Sequence, residues 1–477
     1  MAEILKPDLC VIGAGSGGLS VAAIAAAFGV PVVLVERDRM GGDCLNAGCV
    51  PSKALLAAGH RAHAIRTAGK FGIEVPEPII DFARVRDHVR GVIESIAPND
   101  SVERFTAMGV RVVKAHARFK DARTLEAGDV TIQARRFVLA TGSRPAVPPI
   151  AGLQAVPHLT NETVFDLAER PRRLVIVGGG PIGAEIGQAM RRLGAEVVIL
   201  EADRLLSRDD PEMAAVIARA LGAEGVEIRT GVRVERVEGE AGAIRVTLAG
   251  AEPETIEGSH LLIAAGRSPI VDGLGLEEAG IVVENGAIRV DRGLRTSNRR
   301  VYAVGDCAGG GTEGLRFTHA ANYHAGIVVR RALFRLPAQI DNRVMPRVTY
   351  TDPELAAVGL TEDEARARHG NVRILRWPVA ENDRAQAERD VAGHVKVLVG
   401  RGGRILGCAI AAPRAGELIV PWELAMNRNG TVNDIANLVF PYPTFSEISK
   451  RAAVEYLKPA AQSGMLRGLA GILRRFG

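Results

Sequence analysis

Short, continuously apolar runs recur along the chain, each followed at once by a glycine-rich turn and a stretch of helical length. Residues 8–12 lead into Gly13-Ala-Gly15-Ser-Gly-Gly18; an alanine-rich helix and a second strand, 32–35, follow and end at Glu36. Residues 174–177 lead likewise into Gly178-Gly-Gly180-Pro-Ile-Gly183, then a helix and the strand 197–200, ending at Glu201. In both copies the acid lies 23 positions after the first glycine. Each copy also closes on a related strand end, residues 137–145 with Thr141 and Gly142, and residues 262–269 with Gly266. Strand, glycine turn, helix and strand in that order predict a doubly wound α/β unit, and the chain carries it twice.

Beyond residue 345 the pattern changes. Residues 344–350, 393–399 and 405–411 read as strands and 417–426 and 432–438 as helices, with no phosphate loop among them. The expected architecture is α/β: two doubly wound dinucleotide-binding domains plus a C-terminal α+β dimerisation domain. Residues 1–145 and 271–345 make the first nucleotide domain in two segments, 146–270 the inserted second one, and 346–477 the interface domain with an amphipathic tail. A chain of 477 residues suits about three such units.

The charge balance narrows the partners. Lys+Arg 60 against Asp+Glu 55 leaves +5, and the basic residues are scattered in pairs such as Arg172/Arg173 and Arg330/Arg331, so nucleic-acid binding has little support. Five cysteines in so long a chain argue against a secreted disulfide scaffold. The apolar stretch 19–35 contains Gly29 and Pro31 and follows a glycine turn, so it reads as helix, turn and strand rather than a leader or membrane span. A cytoplasmic location is expected.

The glycines of each motif let the backbone approach a pyrophosphate at a helix N-terminus, and Glu36 or Glu201 is placed to bond a ribose hydroxyl. A structural turn accounts for one such motif more easily than for two complete copies, so two dinucleotides are expected. The first motif adjoins a cysteine pair and is assigned FAD; the second is assigned an exchangeable nicotinamide. Glu201 repels a 2′-phosphate and favours NADH over NADPH, with Arg204 close enough in sequence to blunt that preference.

Between the motifs lies Gly41-Gly-Asp-Cys44-Leu-Asn-Ala-Gly-Cys49-Val-Pro-Ser-Lys53. Five positions of regular helix rise about 7.5 Å, beyond the roughly 7 Å Cα separation a disulfide tolerates. A Cys44–Cys49 bridge therefore requires distorted backbone, for which Gly48 and Pro51 are suited, and so short a bridge fits redox cycling better than stapling. Lys53, about one helical turn past Cys49, would stabilise a Cys49 thiolate. A zinc reading with His60 and His63 is disfavoured by the short histidine spacing, so no metal site is expected. Cys10 and Cys408 read as small core residues. Gly305-Asp306 ends an apolar strand and offers a carboxylate to the ribityl hydroxyls of a flavin. A helix starting near Thr318-His319 would aim its positive end at the same ring.

Together these residues resemble the flavin disulfide reductases, among them dihydrolipoamide dehydrogenase, glutathione reductase and mercuric reductase. The likeness covers nearly the whole chain, and residues 41–53 are its most specific part. It implies a homodimer that uses FAD and NAD(P)H, with Cys49 facing the flavin and Cys44 meeting the substrate. It also implies that Lys53 pairs with Glu185 beside flavin N5, that Gly305-Asp306 is the second flavin motif, and that residues 348–355 open the dimerisation domain. Electrons would pass from nicotinamide through flavin to the Cys44–Cys49 disulfide, then to a disulfide or a thiol-bound soft metal ion.

One departure bears on that acceptor. Disulfide-reducing members carry His-Pro-Thr with a glutamate four residues after the proline, and a partner subunit's imidazole serves the interchange thiol. This chain has Tyr442-Pro443-Thr444 and Glu447. A phenol with an ordinary pKa near 10 is a poor base at neutral pH, which argues against ordinary lipoamide or glutathione chemistry. A tyrosine here is similar to mercuric reductases, although no cysteine follows Cys408 to deliver Hg²⁺. Mercuric ion reduction and dihydrolipoamide dehydrogenation are both kept as alternatives. A reading of another class rests on the tail, where Met465, Leu466, Leu469, Ile472, Leu473 and Phe476 form one helical stripe with Arg467, Arg474 and Arg475 outside it. Such a helix suits a membrane-associated electron-transfer partner; a terminal helix packed on its own dimer is the plainer expectation.

Overall fold

Each glycine repeat opens its own parallel sheet in the computed structural model, which describes residues 3–251, 254–312 and 315–476. In the first sheet the strands run in the order Val301–Ala303, Arg136–Leu139, Leu9–Ile12, Val32–Glu36, Val110–Lys114, all parallel. Leu9–Ile12 and Val32–Glu36 are buried along their whole length, which is why they read as unbroken apolar runs rather than alternating ones. Helices Ser16–Ala27 and Thr318–Ala332 pack on each other over this sheet. Val301–Ala303 joins it only after the second nucleotide unit has been completed, pairing Val301 with Phe137.

The second sheet has the order Glu227–Thr230, Glu196–Glu201, Arg173–Val177, His260–Ile263, again all parallel. The two closing strand ends singled out by the repeat meet each other: Ser143–Pro145 pairs antiparallel with Arg267–Pro269. This two-stranded ribbon joins the nucleotide units at the point where the chain passes between them.

The last region is a five-stranded antiparallel sheet in the order Arg347–Thr349, Glu354–Gly359, Ile405–Ala412, His394–Val399, Arg373–Pro378. Two of these strands escape the sequence pattern. Glu354–Gly359 is alanine-rich, and Arg373–Pro378 carries two arginines and ends in proline, so neither shows the β-branched run that marks a strand. The helix expected over 417–426 is two helices, Ala415–Leu418 and Val420–Asn427. Trp422 anchors the core beneath them, fully buried and donating its indole N–H to Ser449 Oγ at 3.0 Å.

The tail forms the helix its apolar stripe predicts. Helix Gly464–Leu473, capped by Ser463, has no buried residue, and Met465 and Phe476 are 80% and 83% exposed. Its apolar stripe finds no cover within its own chain. Among the described residues no helix is long and apolar enough to cross a membrane.

Candidate active site

One cleft of about 1760 Å³ runs from Glu36 past both cysteines to Glu201. That exceeds the roughly 300–1,000 Å³ of a pocket for one small ligand and suits two dinucleotides meeting end to end. Gly13, Gly15, Glu36, Thr141, Gly142, Gly305 and Asp306 line one arm, and Gly178, Gly180, Glu201 and Gly266 the other. Cys44, Cys49, Lys53 and Glu185 lie where the arms join.

The cysteines sit on two helices rather than one. Gly42–Asn46 ends at Ala47 (φ −147°, ψ 7°), Gly48 takes φ −126° and ψ −111°, and a new helix, Cys49–Thr67, begins at the second cysteine. The break brings the two thiols within hydrogen-bonding reach of one another, both in the free, reduced form. Pro51 falls in the first turn of the new helix, where its missing N–H breaks no intrahelical bond. Cys49 is exposed and lines the cleft.

Their protons are unequally held. The Cys44 thiol donates to Cys49, and that bond together with burial pushes Cys44 well above the ordinary thiol range. Cys49 is lowered to about 6, first by the bond from Cys44, then by Thr318 at 3.4 Å and by the charge on Lys53, against the opposing effect of burial. The arrangement is a thiolate at Cys49 with the pair's remaining proton on Cys44.

Lys53 Nζ lies 2.8 Å from Glu185 Oε2. Glu185 is in helix Pro181–Arg192, directly behind the second glycine turn, so the pair ties the cysteine helix to the second nucleotide unit. Arg267, beside Gly266, was not singled out in the sequence. Its guanidinium contacts Asp43 at 3.2 Å, Ser143 Oγ at 2.7 Å and Asp306 at 3.8 Å, linking the cysteine loop, the ribbon and the Gly305-Asp306 turn. Its position one residue past a repeated glycine was the available signal.

The glycine motifs divide their labour. Gly13 and Gly178 have φ +102° and +115°, and a Cβ on either would strike the carbonyl of Ala140 or Ala264. Gly18 and Gly183 do not line the cleft; a Cβ there would strike the carbonyl of the motif's own first glycine. These two let helix and strand pack closely, the third-glycine role. Gly15 and Gly180 cap helices Ser16–Ala27 and Pro181–Arg192, with no side-chain cap at either N-terminus.

Both acids at the strand ends brace their own loops. Glu36 accepts from Ala14 N at 2.6 Å and Asp38 N at 2.7 Å; Glu201 accepts from Gly179 N at 2.6 Å and Asp203 N at 3.0 Å. Thr141 donates to Ile270 O at 2.7 Å. Asp306 receives Ser143 Oγ at 2.6 Å, and burial pushes its carboxyl above the usual range.

Comparison with known proteins settles the family. The family described as pyridine nucleotide-disulphide oxidoreductase matches residues 7–325, and its dimerisation domain matches 345–453. The chain belongs to the pyridine nucleotide-disulphide oxidoreductases. It is 36% identical over 471 residues to the mercuric reductase of Streptomyces lividans, covering 97% of this chain and 98% of that one. It is also 36% identical over 459 residues to the dihydrolipoyl dehydrogenase of Geobacillus stearothermophilus, covering 94% and 96%. Among solved structures, the Cu(II) complex of the HOCl-induced flavoprotein disulfide reductase RclA from Escherichia coli superposes with a TM-score of 0.84 at 28% identity, covering 94% of this chain and 99% of that one.

Members of this family use FAD and NAD(P)H, and the cleft fits both. Two uncapped helix N-termini open onto it, a Cβ at Gly180 would meet nothing within 4 Å, and the partly buried Asp306 carboxyl lines the same cleft as Cys49. Free N–H groups at a helix start are the donors a pyrophosphate needs. Helix Thr318–Ala332 starts at this arm with no side-chain cap, and His319 lines the cleft with its Nε2–H donating to Pro346 O at 2.9 Å.

Tyr442 and Glu447 lie outside the cleft. Tyr442 is 70% exposed and donates to Asp383 Oδ2 at 2.8 Å, which raises its pKa above the ordinary phenol value. Glu447 opens helix Glu447–Val454. Exposed apolar residues Val420, Leu424, Leu438 and Val439 belong to the same region, as suits the dimerisation domain in which they lie. Among the described residues no group of three potential metal-binding side chains is clustered.

Proposed function

We propose that this oxidoreductase uses NADH to reduce a soft metal ion, Hg²⁺ or Cu²⁺, held by Cys44 and Cys49. The carrying observation is that Tyr442 stands where the base is expected across the dimer, while the bond to Cys49 and burial hold the Cys44 thiol above the ordinary range. A disulfide acceptor needs Cys44 as a thiolate to attack it, so the missing base is costly. A soft metal ion displaces the thiol proton as it binds. Reduction of one Hg²⁺ to Hg⁰, or of two Cu²⁺ to Cu⁺, takes the two electrons of one NADH and leaves the dithiol intact. Similarity to a mercuric reductase, and to a flavoprotein disulfide reductase solved with Cu(II), supports the same acceptor class.

In this reading residues 1–145 and 271–345 hold FAD, 146–270 hold the nicotinamide, and 346–477 form the interface, as supported by the two parallel sheets and the antiparallel third. Bound FAD supplies the transfer of an electron pair from nicotinamide toward the thiols. Gly13, Gly15 and Glu36 hold its adenosine diphosphate half and Asp306 its ribityl chain, with Thr141, Gly142 and Gly305 shaping the arm. Gly178, Gly180, Glu201 and Gly266 do the same for the nicotinamide. Cys49 is the flavin-side thiolate, Cys44 takes the acceptor, and Lys53 with Glu185 fixes the charge beside them. Tyr442 and Glu447 reach the partner subunit's cleft in a homodimer, and the enzyme is cytoplasmic.

The deciding measurement is steady-state NADH oxidation with thiol-complexed Hg²⁺, Cu²⁺, lipoamide, glutathione disulfide and a quinone in parallel. Turnover should be fastest with a metal ion; fast lipoamide turnover returns the chain to dihydrolipoamide dehydrogenation. Contact of the tail with an anionic membrane surface is a second reading, supported by its uncovered stripe and by the absence of acidic residues after Glu455. Liposome co-sedimentation of intact and tail-deleted protein tests it.

A further inference from the structure

The Lys53–Glu185 pair is gripped by a residue from the third domain. Tyr350 lies just past strand Arg347–Thr349. Its ring face carries Lys53 Nζ 4.2 Å from the centroid, and its backbone N–H donates to Glu185 Oε1 at 3.0 Å. Glu185 thereby has one oxygen on Lys53 and the other on Tyr350. Nor is the loop free to drift. Asp352 exchanges two 2.8 Å bonds with Gln188, and its carboxylate takes Arg192 at 2.9 Å. Glu185, Gln188 and Arg192 are three and four positions apart on helix Pro181–Arg192, so one helix face receives the whole segment.

We propose that Tyr350 is a positioning residue that sets the Lys53 ammonium beside Cys49, so that docking of the interface domain on the second nucleotide unit tunes the reactive thiol. Three parts of the fold meet there: the cysteine helix through Lys53, the nucleotide helix through Glu185, and the interface domain through Tyr350. A lysine stem is flexible, and an ion pair alone leaves it several rotamers. A ring face on the other side removes most of them, because the quadrupole attracts an ammonium only from above the ring. The groups facing the Cys49 sulfur are Cys44, Thr318, Lys53 and Asp43. Of these only Lys53 is cationic, and it stands about one turn past Cys49 on the same helix, so its placement adds to the bond from Cys44 in keeping Cys49 ionised. This inference rests on reading Cys49 as the reactive thiolate and not on the choice of acceptor.

The test reads the thiol directly. In reduced holoenzyme, alkylation of Cys49 by iodoacetamide, mapped by mass spectrometry, is followed against pH alongside the long-wavelength thiolate–flavin absorbance. Tyr350→Phe keeps the ring face and should leave the midpoint where the wild type has it. Tyr350→Leu removes the face and should raise the midpoint by about half a pH unit or more, since one unit corresponds to a tenfold change in ionisation. In a Lys53→Met background Tyr350→Leu should produce no further shift. If the leucine variant does not fold, phenylalanines of increasing fluorine content at 350 retain the shape while weakening the ring face, and the midpoint should climb with each fluorine. Equal midpoints in Tyr350→Leu and wild type overturn the proposal, as do a flat fluorine series or a full leucine shift without Lys53. Failure of the metal acceptor in the turnover assay leaves these titrations unaffected, so the two readings fail separately.

Discussion

Cys49 and Tyr442, the two ends of the proposed catalytic apparatus, stand at opposite extremes of support. Cys49 is held by Cys44, Thr318 and Lys53, with Glu185 and Tyr350 behind the lysine, all in a single chain. Tyr442 has one hydrogen bond, to Asp383, and is otherwise open. The thiol side is built within one chain, whereas on the proposed reading the acid–base side is a surface feature that would acquire a target only when a second copy docks. A lesion on the thiol side should therefore act in every assay. A lesion at Tyr442 should act only with acceptors that need a proton moved at Cys44.

The largest expected effect is on the thiol side. Cys49→Ser should leave FAD bound, abolish the thiolate–flavin absorbance and lower turnover with any acceptor by at least about 10³-fold, as for loss of a reacting group. Persistence of the absorbance would remove Cys49 from the flavin side. Next comes Tyr442→His. General acid–base help is worth about 10² to 10⁴, and lipoamide turnover should rise by roughly the lower of these while metal turnover changes little. Glu447→Gln and Asp383→Asn, each made in the histidine variant, show which carboxylate orients the imidazole. An unchanged lipoamide rate reduces Tyr442 to an interface residue and breaks the contrast.

A smaller effect comes from pH. Because the Cys49 thiol is lowered to about 6, the thiolate is present above that value and is lost as pH falls through it. The absorbance of reduced enzyme should fade across that window. Lys53→Met should move the midpoint upward by about one unit, a tenfold change in ionisation at fixed pH. A midpoint near the ordinary thiol value in wild type would mean that Cys44 does not donate to Cys49.

What could be read in the sequence follows the distance over which each feature is determined. The glycine motifs are legible because their requirement is local: Gly13 and Gly178 need positive φ and a close carbonyl within one turn. Cys44, Cys49 and Lys53 lie within ten residues, and the break at Gly48 was anticipated from the disulfide limit. Glu185 came only through family resemblance, since 132 residues separate it from Lys53. Arg267 had only its place beside a repeated glycine, and Tyr350 and Asp383 had no signal for their roles, because each acquires its role from a neighbour far away in sequence. Glu354–Gly359 and Arg373–Pro378 were missed because their sheet neighbours, not their own propensities, make them strands.

The smallest effect concerns the nicotinamide. Arg204 had seemed able to offset Glu201, but its guanidinium is bonded to the carbonyls of Leu206, Ser207 and Asp209. Turning to a 2′-phosphate would leave all three without that donor. Glu201 sits at the end of strand Glu196–Glu201, fixed by two backbone N–H groups. A 2′-phosphate bearing about −1.5 to −2 charges is repelled there. Arg208, exposed and lining the cleft, is the cation left to oppose it. Wild type should therefore favour NADH in kcat/KM, by about tenfold, the scale of one modest electrostatic contact. Glu201→Gln keeps an acceptor for the loop, removes the charge and should narrow that ratio severalfold, mainly by improving NADPH. Arg208→Ala should lower kcat/KM for NADPH and leave NADH nearly unchanged. Because thiols and interface are untouched, both variants should retain wild-type thiolate absorbance, which separates a cofactor effect from damage to the site. An NADPH preference in wild type that disappears in Arg208→Ala would show that the exposed arginine, rather than the braced glutamate, sets the choice.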